Sequence, residues 1–109
     1  MEKFINPRSL LEKLNSKVPP KVIDVRSPEE YEQGHVPDAL NIPIDQLTER
    51  ILEIPMDQPI ITYCNMHHPG QSRGEKAQHL LSEKGFNVQA IEGGFNEWSR
   101  LKLPTKSEK

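Results

Sequence analysis

Hydrophobic and polar positions along the chain alternate between strand-like and helix-like patterns. Four short apolar runs with β-branched residues predict strands at 22–25, 39–43, 59–63 and 88–91. Apolar residues at helical spacing predict helices that begin at Asn6, Ser27, Asp45 and Ser72, and a last helix carrying Phe95, Trp98 and Leu101. Short strands that alternate with helices indicate βαβ units. The predicted fold class is therefore α/β, with a central, mainly parallel sheet of four or five strands and helices on both faces.

Length and charge narrow the class of protein further. The 109 residues are enough for one domain, which we expect at 1–104, with a disordered C-terminal tail at 105–109. The 14 basic and 16 acidic residues leave a net charge of −2, which argues against binding to nucleic acid. The sequence has neither an apolar run of about 20 residues nor a signal-like N-terminus, so we expect a cytoplasmic protein without a membrane partner.

The chain has one cysteine, Cys64, directly after the strand predicted at 59–63. A single cysteine excludes an internal disulfide and a zinc site made of cysteines alone. It can be either a small buried apolar residue or a reactive thiol. Its position favours the reactive thiol, because ligands of parallel sheets bind at the carboxyl ends of strands. The helix that follows Ser72, with Arg73 in its first turn, would stabilise a thiolate there.

The residues after Cys64 are candidates for binding an anionic ligand. They contain proline and glycine and are predicted to form a loop whose backbone amides could surround an anion. These candidates are Asn65, Met66, His67, His68, Pro69, Gly70, Gln71, Ser72 and Arg73. Asp24 and Arg26 are candidate supporting residues at the end of the strand predicted at 22–25. Asp24 could hydrogen-bond the loop or cap the next helix, and Arg26 could bind an anion or pair with Asp24.

Other polar residues near these positions are expected to be structural. Glu29 and Glu30 lie in the first turn of a predicted helix, where solvated acidic side chains favour the helix dipole. His35 lies in a turn-rich stretch and is expected to support that turn.

Several motifs of the chain together resemble those of a known family. They are 22–26 (VIDVR), 28–31 (PEEY), 34–43 (GHVPDALNIP), 63–64 (YC), 80–88 (LLSEKGFNV), 92–95 (EGGF) with Trp98, and 103–104 (LP). In this order, and over nearly the whole chain, they resemble the signatures of rhodanese-like domains. The rhodanese fold itself is the same α/β arrangement that the hydrophobic pattern predicts.

The resemblance implies a sulfurtransferase. The Cys64 thiolate would take the outer sulfur of a donor such as thiosulfate as a persulfide and pass it to cyanide, another thiol or a sulfur-accepting protein. The resemblance implies no metal and no organic cofactor. Because the chain has no second cysteine, the persulfide could not be resolved internally, and the sulfur would have to leave to an outside acceptor.

The loop departs from the usual family pattern because it is longer, and this leaves three alternatives. A non-catalytic binding or sulfur-carrier module is one. A phosphatase is another, although related phosphatases carry arginine at the sixth position after the cysteine, where this chain has Gly70. The third is a metal site formed by Cys64 with His67 and His68, whose sulfur and nitrogen donors suit zinc or copper.

Overall fold

A wholly parallel sheet forms the centre of the computed structural model, which describes residues 2–66 and 72–108. Its strands are β1 (Phe4–Ile5), β2 (Lys21–Asp24), β3 (Leu40–Asn41), β4 (Ile60–Tyr63) and β5 (Val88–Ile91). They lie side by side in the order β1-β5-β4-β2-β3, and every neighbouring pair is parallel. The predicted α/β class and the parallel sheet of four or five strands are thus confirmed.

The helices begin where the sequence provides side-chain caps. They are α1 (Pro7–Leu14), α2 (Pro28–Gln33), α3 (Arg73–Glu83) and α4 (Gly94–Arg100). The side chains of Asn6, Ser27 and Ser72 each accept a hydrogen bond from a backbone amide in the first turn that follows. These three predicted helix starts are confirmed. Within the described parts of the chain, none of the helices has the length and apolar content needed to cross a bilayer.

The sheet separates two apolar clusters, one on each face. One cluster joins Ile23 of β2 to Ala77 and Leu81 of α3. The other joins Leu10 of α1 to Trp98 of α4 and to residues of β2, β4 and β5. Because α3 covers one face while α1 and α4 cover the other, the prediction of helices on both faces is confirmed.

Two elements differ from the sequence-based prediction. Strand β1 has two residues, too few to produce a hydrophobic pattern. The helix predicted to begin at Asp45 is replaced by two short 3-10 helices, Ile44–Gln46 and Ile51–Glu53. Leu47 is fully buried whereas Leu52 is 97% exposed, so the apolar residues of this segment do not share one helix face. The conformation of this segment therefore depends on the packing of a few side chains and not on helical periodicity.

The segment predicted as a disordered tail makes several contacts over its described part. His35 and Lys106 exchange two backbone hydrogen bonds of 2.8 and 2.9 Å in an isolated antiparallel bridge. The Ser107 hydroxyl donates to the Glu32 carbonyl at 3.1 Å, and Glu108 Oε2 lies 2.9 Å from His35 Nε2. A single bridge between a buried histidine and an exposed lysine leaves no hydrophobic pattern, which is why the sequence offers no sign of it.

Candidate functional site

Cys64 lies at the carboxyl edge of the sheet, immediately after β4. Its side chain is 5% exposed and packs in the same apolar cluster as Ala77 and Leu81 of α3. The thiol donates a hydrogen bond to the Met66 carbonyl, with the two atoms 3.1 Å apart. The sulfur therefore faces the start of the segment that joins β4 to α3, and bulk water has little access to it.

The first turn of α4 holds the backbone on either side of the Cys64–Asn65 peptide bond. The Phe95 amide donates to the Cys64 carbonyl, and the Asn96 amide donates to the Asn65 carbonyl, each at 2.7 Å. Gly94 makes this approach feasible, because its φ is +62° and a Cβ there would lie 2.7 Å from the Cys64 carbonyl oxygen. The position of Cys64 is thus fixed by α4 as well as by the sheet.

A buried ionic cluster lies behind Cys64, on the opposite face of β4. Asp24 is fully buried and Arg26 is 3% exposed. The Arg26 Nε and Nη2 atoms donate to the Asp24 carboxylate at 3.0 and 2.7 Å, and the Tyr63 hydroxyl donates to it at 2.7 Å. Burial alone would lower the pKa of Arg26, but the hydrogen bond and charge of Asp24 raise it. Burial and the Asp24 charge also raise the pKa of Tyr63.

Arg26 connects this cluster to the residue that follows Cys64. Its Nη1 atom donates to Asn65 Oδ1 at 3.0 Å, and its Nη2 atom donates to the Gly34 carbonyl at 2.6 Å. Its guanidinium also lies over the Phe95 ring, 4.5 Å from the ring centre. The sequence left open whether Arg26 binds an anion or pairs with Asp24, and in the structure it pairs with Asp24. Asp24 in turn reaches the loop through Arg26.

Glu30 differs from the prediction of a solvated first-turn residue. Its carboxylate accepts hydrogen bonds from Arg73 Nη1 at 3.1 Å and from Asn65 Nδ2. Burial alone would raise the pKa of Glu30, but the bonds from Arg73, Ser27 and Asn65 lower it to about 2. Glu29, by contrast, is exposed, as predicted. The reach of Glu30 to residues 35 and 43 positions away is a tertiary contact that its local sequence does not reveal.

The structure thus brings five of the predicted site residues together: Cys64, Asn65, Arg73, Asp24 and Arg26. Ser72 is buried as the N-cap of α3, and Met66 is 45% exposed. The remaining candidates lie outside the described residues; they are His67, His68, Pro69, Gly70 and Gln71.

Two shallow cavities are lined by residues of this site. One, of about 310 Å³, is lined by Arg26, Glu30, Asn65 and Phe95 among others. The second, of about 240 Å³, has Arg73 in its wall. The first cavity therefore gives a small ligand access to Asn65, the residue after Cys64, and the second gives access to Arg73.

A metal site receives no support from the residues that can be assessed. Among residues 2–66 and 72–108 there is no group of three or more histidine, cysteine or acidic side chains arranged to hold a metal ion. Since His67 and His68 lie outside those ranges, a site formed by them with Cys64 stays a prediction.

Three residues of the site were not identified as such from the sequence: Glu30, Tyr63 and Gly94. The Ser27–Glu30 capping box explains only the local role of Glu30. The aromatic ring of Tyr63 is typical of a buried strand. Its hydroxyl reaches Asp24 only because β2 pairs with β4, which the local sequence does not reveal. Gly94 fits a simple turn, and only the packing of α4 on Cys64 reveals why a side chain is excluded there.

Comparison with known proteins identifies relatives over most of the chain. A model of the Rhodanese-like domain family matches residues 6–101. A sulfurtransferase of Allochromatium vinosum is 33% identical over 101 residues, which cover 92% of this chain and 91% of that protein. A rhodanese-related protein of Thermoplasma volcanium, known from its crystal structure, superposes with a TM-score of 0.85. It is 28% identical, and the match covers 96% of this chain and 98% of that one.

Other relatives are longer proteins. An HTH-type transcriptional regulator of Mycobacterium tuberculosis is 35% identical over 83 residues, or 76% of this chain. An uncharacterized protein of Bacillus subtilis is 38% identical over 78 residues, or 72% of this chain. The matches span 36% and 60% of those two proteins, respectively. The region matched by this chain is therefore only a part of each of these two proteins.

Proposed function

The chain belongs to the Rhodanese-like domain family, and on that premise we propose that it is a sulfurtransferase in which Cys64 carries sulfur as a persulfide. The single observation that carries this proposal is the position of the Cys64 thiol. It lies at the carboxyl end of a central strand and points to the segment that precedes α3. The similarity to a sulfurtransferase of Allochromatium vinosum, which extends over most of both chains, also supports the proposal.

The proposed reaction has two steps, each a transfer of one sulfur atom without net oxidation. The Cys64 thiolate attacks the outer sulfur of thiosulfate, the sulfur–sulfur bond of the donor breaks, and sulfite leaves with the electron pair. The persulfide on Cys64 then gives its outer sulfur to an acceptor, and the thiolate leaves. With cyanide as acceptor the product is thiocyanate. This is covalent catalysis, which divides a difficult transfer into two easier ones.

The charges around Cys64 support a negatively charged sulfur there. Arg73 lies in the first turn of α3, where the helix dipole also favours an anion. The pKa of Arg73 is raised first by its hydrogen bond to Glu30 and further by the negative charge of Cys64. The low exposure of Cys64 would protect a persulfide from water and oxidants.

The direct test is sulfur uptake measured by intact mass. After incubation with excess thiosulfate, or with the hydropersulfide of a small thiol, the wild type should gain one sulfur. Cys64→Ser should gain none, and because Cys64 is the one cysteine of the chain, the added mass needs no further assignment. If the wild type gains sulfur from neither donor, the proposal is wrong.

A sulfur-carrier or binding module is the second candidate, favoured by the match to a transcriptional regulator that is longer than this chain. A sulfurtransferase and a sulfur carrier both predict a persulfide on Cys64 but differ in turnover, whereas a binding module predicts negligible turnover and a specific protein partner. A sulfurtransferase should form many equivalents of thiocyanate from thiosulfate and cyanide. A carrier should take up one sulfur per chain and release it slowly. Steady-state formation of thiocyanate therefore separates the two.

A further inference from the structure

The carboxylate of Glu30 joins the two residues that flank the segment after Cys64. Asn65 comes directly after Cys64, and its Nδ2 atom donates to Glu30 Oε2. Arg73 follows the segment, and its Nη1 and Nη2 atoms donate to Oε1 and Oε2 at 3.1 and 3.4 Å. Glu30 lies on a different helix, so this clamp depends on the packing of α2 beside the site.

Glu30 is itself held in place at the start of α2. The Ser27 amide and hydroxyl donate to Glu30 Oε1 at 3.0 and 3.1 Å, while the Glu30 amide donates to the Ser27 hydroxyl at 3.3 Å. This capping box holds the Glu30 side chain through residues of its own helix start, and Arg73 and Asn65 hold it through tertiary contacts. The carboxylate is therefore a fixed negative charge and not a mobile surface group.

Both guanidinium groups of the site are already paired with carboxylates. Arg26 binds Asp24, and Arg73 binds Glu30. A donor with two negative charges would have to compete with Glu30 for Arg73 and would also meet the charge of Glu30 itself. A donor with one negative charge is repelled less strongly by Glu30 and depends less on its attraction to Arg73.

We propose that Glu30 determines donor preference, by occupying Arg73 and so disfavouring dianionic donors such as thiosulfate relative to monoanionic hydropersulfides of organic thiols. The inference rests on the proposed sulfurtransferase function. In the favoured reaction the Cys64 thiolate attacks the outer sulfur of the hydropersulfide anion. The sulfur–sulfur bond of that anion breaks, and the organic thiolate leaves with the electron pair. One sulfur moves to Cys64, and no oxidant or reductant is needed.

The test compares the KM of two donors in the wild type and in Glu30→Gln, with cyanide as acceptor. The donors are thiosulfate and the hydropersulfide of 2-mercaptoethanol, whose organic part carries no charge. Because exposed ion pairs are weak, we expect the KM for thiosulfate to fall about two- to fivefold in Glu30→Gln. The KM for the hydropersulfide should change by less than about twofold, and added salt should reduce the gain with thiosulfate.

Glu29→Gln is the matched control, because it removes the same charge from the neighbouring exposed position on the same helix. It should leave the ratio of the two KM values unchanged. Glu30→Asp, which keeps the charge but shortens the reach to Arg73, should shift the ratio in the same direction as Glu30→Gln. The Asp variant also keeps a carboxylate for the Ser27 cap, so it tests the proposal if the Gln variant folds poorly.

Three results would overturn the inference. The first is a ratio of KM values that is the same in the wild type, Glu30→Gln and Glu30→Asp, and the second is an equal shift in Glu29→Gln. The third is a loss of kcat with both donors at constant KM values, which would assign Glu30 to positioning alone. These results leave the proposed function intact, whereas a wild type that takes sulfur from neither donor contradicts both.

Discussion

Two arginine–carboxylate pairs are both bonded to Asn65, the residue after Cys64, and they differ in burial. The Asp24–Arg26 pair is almost completely enclosed, with side chains 0% and 3% exposed. The Glu30–Arg73 pair joins side chains that are 33% and 37% exposed. The chemistry of the two pairs is the same, so the difference in their surroundings decides what each can do.

A buried pair is costly to separate, because either charge left alone in the interior loses its hydration without compensation. Asp24–Arg26 is therefore suited to fixing the backbone next to Cys64, and poorly suited to exchanging partners. A pair that is one-third exposed can exchange partners with a ligand at small cost, since water and salt screen it. This contrast assigns stability to the Asp24 side of the site and donor preference to the Glu30 side.

The largest effect is expected from Asp24→Asn, which tests whether the buried pair stabilises the fold. The amide keeps the shape but removes the charge that faces Arg26, so we expect a loss of about 3 kcal/mol in the free energy of unfolding. Urea denaturation followed by circular dichroism measures it. Asp45→Asn makes the same chemical change at an exposed position and should stay within about 0.5 kcal/mol of the wild type. Equal stability of the two variants would contradict the structural role of the buried pair.

The sequence predicts the fold well because the fold depends on local patterns. Asn6, Ser27 and Ser72 cap the helices as expected, and the apolar runs at 22–25, 59–63 and 88–91 coincide closely with β2, β4 and β5. These signals lie within a few residues of the structure that they produce. Strand β1 has no such signal, since two residues gain their strand conformation from pairing with β5.

The site is predicted less completely, because its contacts join residues that are distant in sequence. The position of Cys64 after a strand is visible in the sequence, and so is the charge of Arg73 at the start of a helix. The partners of Arg26 and Glu30 are set by which strands and helices become neighbours. The same local motif, an acidic first turn, yields an exposed Glu29 and a clamped Glu30, and only the tertiary structure distinguishes them.

Gly94→Ala would disturb the packing of α4 against the backbone of Cys64 without changing any charge. The new Cβ would lie 2.7 Å from the Cys64 carbonyl oxygen, at a φ of +62°. We expect a loss of about 2 kcal/mol in stability and slower sulfur uptake by Cys64. Thermal unfolding and the intact-mass assay measure the two effects.

Gly34→Ala is the control for that variant. Gly34 has an extended φ of 163°, and a Cβ there would meet the Phe95 ring at 3.7 Å, an ordinary contact. It should change stability by less than about 1 kcal/mol. If Gly94→Ala is equally harmless, the close approach of α4 to Cys64 is not needed to hold the site.

The smallest expected effect is the pH dependence that the exposed pair contributes. The ordinary pKa of Glu30 is 4.5, and in the folded protein it is about 2. Burial alone would raise this pKa, but the hydrogen bonds from Arg73, Ser27 and Asn65 lower it by more. A pKa that is lowered by folding stabilises the protein above the ordinary value, and that stability is lost as pH falls through the folded value. With solvent screening at a side chain one-third exposed, we expect about 1 kcal/mol between the wild type and Glu30→Gln near neutral pH.

That difference should shrink as the pH falls from 4.5 towards 2, because Glu30 becomes neutral in both the folded and unfolded chains. Urea titrations of the wild type and Glu30→Gln across this range measure it, with Glu29→Gln titrated in the same way as the control. High salt at neutral pH should reduce the Glu30 difference by screening the ion pair. A Glu30 difference that resists both acid and salt would mean that Glu30 stabilises the site by packing. The two arginine pairs would then differ in burial without differing in function.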